Sequence, residues 1–393
     1  MNILFYTTFE VSPQKGGTER ITSTIAEGLQ RLYGVKSFSL FSIPIAKGFE
    51  RTKFVDAKCI PDNASFESFL EEFVRKNNIE IIINQGAFAL ARPMRNVLNK
   101  FTTKHLLTIH HFNPGAEENF FNLHNIIWNI REKDNVIKNA IKLFSFPLLK
   151  LIERKKLIKA YHEAYMCSDR IVLLSDNFKK DFQQYANLSE TNKLCSVHNA
   201  LSFKSFFEMK NYVNKKKEVL VVSRLDEVQK RISQILLIWK NVQQESDLSD
   251  WKLTIVGHGE TYEKTYKDYV KKEGLKNIHF EGAQKPEPYY NRASLFMLTS
   301  AYEGWGLTLT EAQQYGVVPL AYNSYASLTD IITDGENGYV IPNNDISQYT
   351  KRLIELMRND SLRKNMATNA IESSKRFTVE NICGDWMNLF HSL

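Results

Sequence analysis

Short apolar runs alternate along this chain with longer stretches in which apolar residues recur every three or four positions. "NILFYTTF", "SFSLFSI", "IEIIINQG", "KHLLTIHH" and "RIVLLSD" have the length and continuity of strands buried on both faces. Between them, "TERITSTIAEGLQRLY" and "SFESFLEEFVRKNN" carry the 3.6-residue period of amphipathic helices. The alternation restarts with "EVLVVSRL" (218–225) and runs on through "WKLTIVGHG", "NIHFEG", "ASLFMLTS" and "VVPLAYN". Such alternation predicts a parallel sheet covered by helices on both faces, and its double occurrence predicts two doubly wound Rossmann-like α/β domains. The polar, Lys- and Asn-rich stretch around 202–217 sets the expected boundary, with a first domain over 1–201 and a second over 202–375. Ligands of doubly wound sheets lie beyond the carboxyl ends of the strands, so a central cleft between two facing domains is the expected site.

Composition narrows the class. At 393 residues the chain is too long for one ordinary core. No run of 18 apolar residues is present, so no membrane-spanning helix is expected. "MNILFYTTFE" lacks a basic n-region and reads as a strand, not a signal peptide. Cys59, Cys167, Cys195 and Cys383 are scattered without a C-x-x-C, as expected of thiols in a cytoplasmic protein. The net charge of +7 is partly local: residues 131–163 hold nine Lys/Arg against four Asp/Glu, mixed with aliphatic and aromatic residues. Two readings of that stretch stand. Its helices pack on the first domain with solvated lysines, or it makes peripheral contact with an anionic membrane, with Ile141, Phe144, Leu148 and Leu151 entering the headgroups. Nucleic-acid binding is not expected, because no domain-wide basic stripe exists.

Three glycine-rich or charged loops follow predicted strands. In "SPQKGGTER" (12–20), Gly16 and Gly17 let backbone approach a ligand at a helix N-terminus, although an ordinary βα turn would look the same. In "SRLDEVQKR" (223–231), Arg224 and Lys230 stand at the mouth of a parallel sheet and suit a diphosphate whose charge grows as it departs, although a solvated loop would look the same. In "YEGWGLTLTEAQQYG" (302–316), Gly304, Trp305 and Gly306 lead into a helix beside Glu303, gathering free amides suited to phosphate or sugar oxygens. Glu311 follows on that helix, where a carboxylate can accept from a ribose diol. No D-x-D motif and no His/Cys cluster with metal-ligand spacing is found, so no metal and no other cofactor is expected.

The run from Ser300 to Asp345 resembles the signature of the retaining GT-B glycosyltransferases of family 4, with Glu303 and Glu311 as its E-x7-E core. "VVSRLDEVQKR", "LTIVGHGE", "IHFEGAQ" and "VHNAL" fall at that family's usual places, and the resemblance covers nearly the whole chain. It implies a GT-B fold and a nucleotide-sugar donor, UDP-linked before GDP-linked, with a saccharide or lipid-linked acceptor. It further implies that Glu311 binds the ribose and Glu303 the donor-sugar hydroxyls. Arg224 and Lys230 would neutralise the diphosphate, helped by the amides of Gly306, Leu307 and Thr308. Backbone around Gly282, Ala283 and Gln284 would hold the base, and Gly17 would close over the phosphates. A histidine at the end of a first-domain strand would touch the donor sugar. His110 and His111 both qualify: strand length favours the first, the spacing to Pro114 the second, and strand alternation sends them to opposite sides. His198 and His258 are expected to be structural. The terminal segment 376–393 would return to the first domain. The expected function is synthesis of a bacterial surface polysaccharide by retaining transfer, in the cytoplasm or at the inner face of its membrane. A sugar-nucleotide 2-epimerase of the same fold and a non-catalytic nucleotide-sugar-binding component are the alternatives.

Overall fold

The computed structural model describes residues 1–393 except Thr103, His124, Asn125 and 128–135, and except the side chains of 136–138, 260 and 261. Residues 131–135 of the basic stretch, and the side chains after them to 138, therefore lie outside the described residues. The chain forms two compact units: Met1–Ala200 with Val379–Leu393, and Leu201–Thr378.

The first unit is built on strands β1 (Asn2–Phe9), β2 (Lys36–Ile43), β3 (Ala57–Cys59), β4 (Ile81–Asn84), β5 (His105–Ile109), β6 (Arg170–Leu173) and β7 (Leu194–Ser196). They pair in the order β3-β2-β1-β4-β5-β6-β7, every pairing parallel. Parallel strands need crossovers, and α1 (Gly17–Tyr33), α2 (Phe66–Lys76), α3 (Ala91–Leu98), α4 (Val136–Phe144), α5 (Phe146–Cys167) and α6 (Lys179–Tyr185) lie along those connections. Ile3 to Tyr6 and Ile81 to Ile83 are buried without alternation, because helices cover both faces of the central strands. Helix α1 ends on Gly34, whose φ of +66° and amide bond back to Gln30 make a left-handed cap.

The second unit pairs β8 (Glu218–Val222), β9 (Lys252–Val256), β10 (Ile278–Gly282), β11 (Leu295–Leu298), β12 (Val318–Asn323) and β13 (Tyr339–Pro342) in the order β10-β9-β8-β11-β12-β13, again in parallel. Its helices are α7 (Ile232–Val242), α8 (Glu260–Lys272), α9 (Glu287–Arg292), α10 (Leu307–Gln314), α11 (Leu328–Ile331), α12 (Ile346–Arg358) and α13 (Asp360–Ser374). Asp345 and Asn359 cap α12 and α13 by accepting from Gln348 and Leu362 amides. The last helix, α14 (Val379–His391), belongs to the first unit, where it packs on α1. Ile382, Cys383, Trp386 and Phe390 are its buried face, and Glu380 pairs with Arg31 of α1 at 2.8 Å.

Candidate functional site

In the second sheet the strand order reverses between β8 and β11, and at such a switch point the two following loops diverge and leave room for a ligand. The loop after β8 carries Arg224 and Lys230; the loop after β11 carries Glu303. Hydrogen bonds stitch the two together. The Ala301 amide donates to the Gln229 carbonyl at 2.7 Å, and the Thr299 hydroxyl to the Lys230 carbonyl at 2.9 Å. Across this seam the Lys230 ammonium forms an ion pair with Glu303 Oε1, and the Ser300 hydroxyl donates to the same oxygen at 2.7 Å. Both charged side chains are largely enclosed, at 15% and 11% exposure. Arg224 stays exposed and donates from Nη2 to Gln229 Oε1 at 2.8 Å, while Gln229 Nε2 donates to the Tyr302 carbonyl at 3.2 Å.

Gly306 then precedes α10 with φ +94°, a left-handed conformation that glycine adopts without penalty. A Cβ there would meet the Tyr325 hydroxyl at 2.9 Å. In the first turn of α10 the Leu309 amide donates to the Gly306 carbonyl at 2.8 Å, whereas the amides of Leu307 and Thr308 have no acceptor within the helix, so the N-terminus offers donors a few residues along the chain from Glu303. The Trp305 ring is turned into the unit, edge-on to Phe377 at 5.1 Å, and what it offers a ligand is backbone. Glu311 is fully buried, and Tyr290 donates to its Oε2 at 3.0 Å. The ribose contact expected of Glu311 therefore requires that α10 or Tyr290 yield, because the helix is packed tightly enough to cover every residue from Leu309 to Gln314.

Gly282 ends the edge strand β10 at φ +68°, with Ala283 and Gln284 exposed beyond it. Its carbonyl accepts from Gly257, itself a position no other residue fits: a Cβ on Gly257 would lie 1.7 Å from the Ser223 carbonyl oxygen. The loop after β9 thus passes directly against the backbone that holds Arg224. Gln229, Ser300, Tyr290 and Gly257 carry no signal in the sequence: Tyr290 and Gly257 meet partners 21 and 34 positions away, and Ser300 and Gln229 are ordinary polar loop residues whose side chains reach Glu303 and Arg224 only in the folded loops.

In the first unit, Gly16 is the N-cap of α1 and Gly17 its first residue, with the Glu19 carboxylate lying over Gly16. His110 and His111 directly follow β5. His110 is 2% exposed and its Nε2 lies 2.9 Å from Glu117 Oε1 and 2.7 Å from the Tyr161 hydroxyl. Tyr161 spends its single proton on Glu117 Oε2 at 2.6 Å and accepts from the Gly115 amide, so Nε2 of His110 is the donor. Burial works to raise the Glu117 carboxyl, but the His110 ring and the bonds from His110 and Tyr161 outweigh it and hold it below the usual range. Burial, with the neighbouring His110 adding to it, pushes His111 down to about 3, which keeps that imidazole neutral. Both histidines border a cavity of about 540 Å³, and His111 also borders a smaller one that His110 does not, while the His110 ring packs among Phe88, Tyr161 and Phe182. Glu117, Phe120, Arg154 and Tyr161 also line the larger cavity. His198 and His258 have local partners, the Leu174 carbonyl at 2.9 Å and Glu263 at 3.4 Å.

Among the described residues no group of three His, Cys, Asp or Glu side chains could hold a metal ion, and no helix is long and apolar enough to cross a membrane. The four cysteines are free thiols.

Two parallel-sheet Rossmann-like units, the second with a cation–carboxylate pair and a helix N-terminus at its switch point, define a protein of the GT-B fold. Residues 202–373, nearly the whole second unit, match the family model described as Glycosyl transferases group 1. Over 237 residues the chain is 28% identical to the amylovoran biosynthesis glycosyltransferase AmsD of Erwinia amylovora, covering 58% of this chain and 63% of that one. An uncharacterized glycosyltransferase of Haemophilus influenzae is 24% identical over 377 residues, 95% of this chain and 96% of its own. The crystal structure of Anabaena HepE in complex with UDP-glucose has the same fold, with a TM-score of 0.70 at 16% identity over 100% of both chains. These likenesses support a glycosyltransferase.

Proposed function

We propose that this protein transfers a sugar from a nucleoside-diphosphate sugar to a saccharide or lipid-linked saccharide, with retention, in the synthesis of a bacterial surface polysaccharide. The observation that carries this reading is the Lys230–Glu303 ion pair at the β8/β11 switch point, with Glu303 a few residues along the chain from the N-terminus of α10. Departure of a nucleoside diphosphate builds negative charge on phosphate, and fixed cations and amides placed there in advance stabilise it without reorganising. Lys230, Arg224 and the amides of Leu307 and Thr308 are those groups, and Glu303 is placed to accept from sugar hydroxyls once Lys230 turns to phosphate. The charge work is thereby assigned to side chains and not to a divalent ion. No carboxylate among these residues is free to act as an obvious nucleophile, which favours attack on the same sugar face that the nucleotide leaves. Uridine is the favoured base, supported by the UDP-glucose held by HepE.

Thermal melting with UDP, GDP and ADP tests the donor side, since a ligand at 100 times its Kd adds about 2.7 kcal/mol of stability. Incubation of the purified chain with UDP-sugars, with and without EDTA, and nuclear magnetic resonance of the products tests the rest. Donor hydrolysis or transfer with the α-configuration kept, and unaffected by EDTA, is the expected result. An isomerised donor sugar would establish epimerisation instead, and tight binding without turnover a non-catalytic component.

A further inference from the structure

Helices α4 and α5 are nearly continuous: the Ser145 amide donates to the Ile141 carbonyl at 3.0 Å and its own carbonyl accepts from Leu149 at 2.9 Å. Along them Ile141, Phe144, Leu148 and Leu151 recur at intervals of three and four, which places them on one side of the rod. That side faces outward. The four residues are 63%, 90%, 61% and 56% exposed, and Ile152 beside them is exposed too. The opposite side of α5 supplies the buried Tyr161, Ala164 and Tyr165, so this helix is apolar on both sides where a solvated helix would be apolar on one. Lys142, Lys155, Lys156 and Lys159 flank or continue the outer stripe, while Lys150 and Arg154 border the cavity on the other side. Over 139–163 as a whole, six Lys/Arg (Lys142, Lys150, Arg154, Lys155, Lys156, Lys159) stand against two acids (Glu153, Glu163), a surplus of four.

We propose that the outer edge of α4–α5 docks the protein on an anionic lipid bilayer, the stripe entering the headgroup layer and the flanking lysines meeting lipid phosphates. An apolar stripe flanked by cations matches a surface that is apolar beneath and negative above. A second copy of the chain fits less well. Two heptads are shorter than the three or four a coiled-coil seam needs, and a two-fold contact would bring equal lysines face to face. The same helix forms a wall of the 540 Å³ cavity through Arg154 and Tyr161, so docking sets the cavity beside the headgroups. The inference stands apart from the transfer reading, since docking is read without donor or acceptor.

Co-sedimentation of the full chain with phosphatidylglycerol-containing vesicles and with phosphatidylcholine vesicles, at low and at 1 M salt, tests it. Binding to the anionic vesicles alone is expected, with loss in 1 M salt as the Debye length shrinks to about 3 Å. Phe144→Asp with Leu148→Asp, and separately Lys142→Glu with Lys155→Glu and Lys156→Glu, should each weaken binding about tenfold or more with Tm unchanged. Because Phe144 and Leu148 project into solvent, their replacement cannot unfold the protein by opening a core. Equal binding to both lipids, no binding at low salt, or a dimer that Phe144→Asp dissociates would each overturn the proposal.

Discussion

Lys230 and Glu303 are 73 positions apart and meet in one enclosed ion pair, while Arg224 reaches the same loop only through Gln229 and stays in water. That difference ranks their expected effects. Lys230→Ala should lower kcat on the order of 100-fold, the cost of removing a preorganised donor from a developing anion, with KM for the donor little changed. Arg224→Ala should act in the same direction but less, because solvent already screens its charge. Steady-state kinetics on UDP-sugars check both, and near-normal turnover in Lys230→Ala would remove it from the diphosphate. A second cation gives a pH signature. Lys215 donates to the carbonyls of Tyr290 and Tyr315, each at 2.8 Å, and lies over the Phe207 ring at 4.2 Å. Burial pushes its ammonium down to about 7, against a weaker opposing pull from Glu218. A lysine lowered in the folded state binds its proton more weakly there than when unfolded, so its penalty is full below pH 7 and lifts between pH 7 and about 10.5. Across that window the unfolding free energy of the wild type relative to Lys215→Met should climb by up to about 1.4 kcal/mol per pH unit. Urea melts of both proteins at pH 6.5, 8 and 9.5 read it; a flat difference would mean that the ammonium is not desolvated.

At the scale of elements, the contact between α1 and α14 depends on one small residue. A Cβ on Gly28 would lie 2.6 Å from Cys383 Sγ and from a methyl of Val379. Gly28→Leu should therefore force the two helices apart and cost about 1–3 kcal/mol, the usual penalty of overpacking, despite leucine's better helix propensity. Chemical denaturation checks it, and a stabilised variant would mean that α14 is loosely held. Strands show the limits of reading elements from pattern. The long inner runs, such as "NILFYTTF" for β1, coincide with what their continuous apolarity predicts. Ala57–Cys59, Leu194–Ser196 and Tyr339–Pro342 were not expected as strands. All three are sheet edges of three or four residues, too short for any period, and their extended form comes from the neighbour each pairs with.

At the scale of the molecule, the chain leaves the first unit at Ala200 and returns to it at Val379. Deleting 379–393 strips the buried partners of α1, about 1.5–3 kcal/mol for each large apolar side chain withdrawn. Hydrogen exchange should then quicken in α1 and β1 and stay unchanged in β8–β13. Uniform quickening would show the helix to support both units. The sequence by itself determined what depends on local period and on spacing within one loop: parallel α/β sheets, their repetition, the loops bearing Arg224, Lys230 and Glu303, and the glycine that opens α10. Tertiary structure decided what depends on residues far apart meeting. Only folding joins Lys230 to Glu303, closes Tyr161 and Glu117 around His110, covers Glu311 with Tyr290 and turns the Trp305 ring inward. It also turned Ile141, Phe144, Leu148 and Leu151 outward. A period of three and four says that a helix has one apolar side; which way that side faces is settled by the unit it packs on, and here Tyr161 and Tyr165 hold the other side.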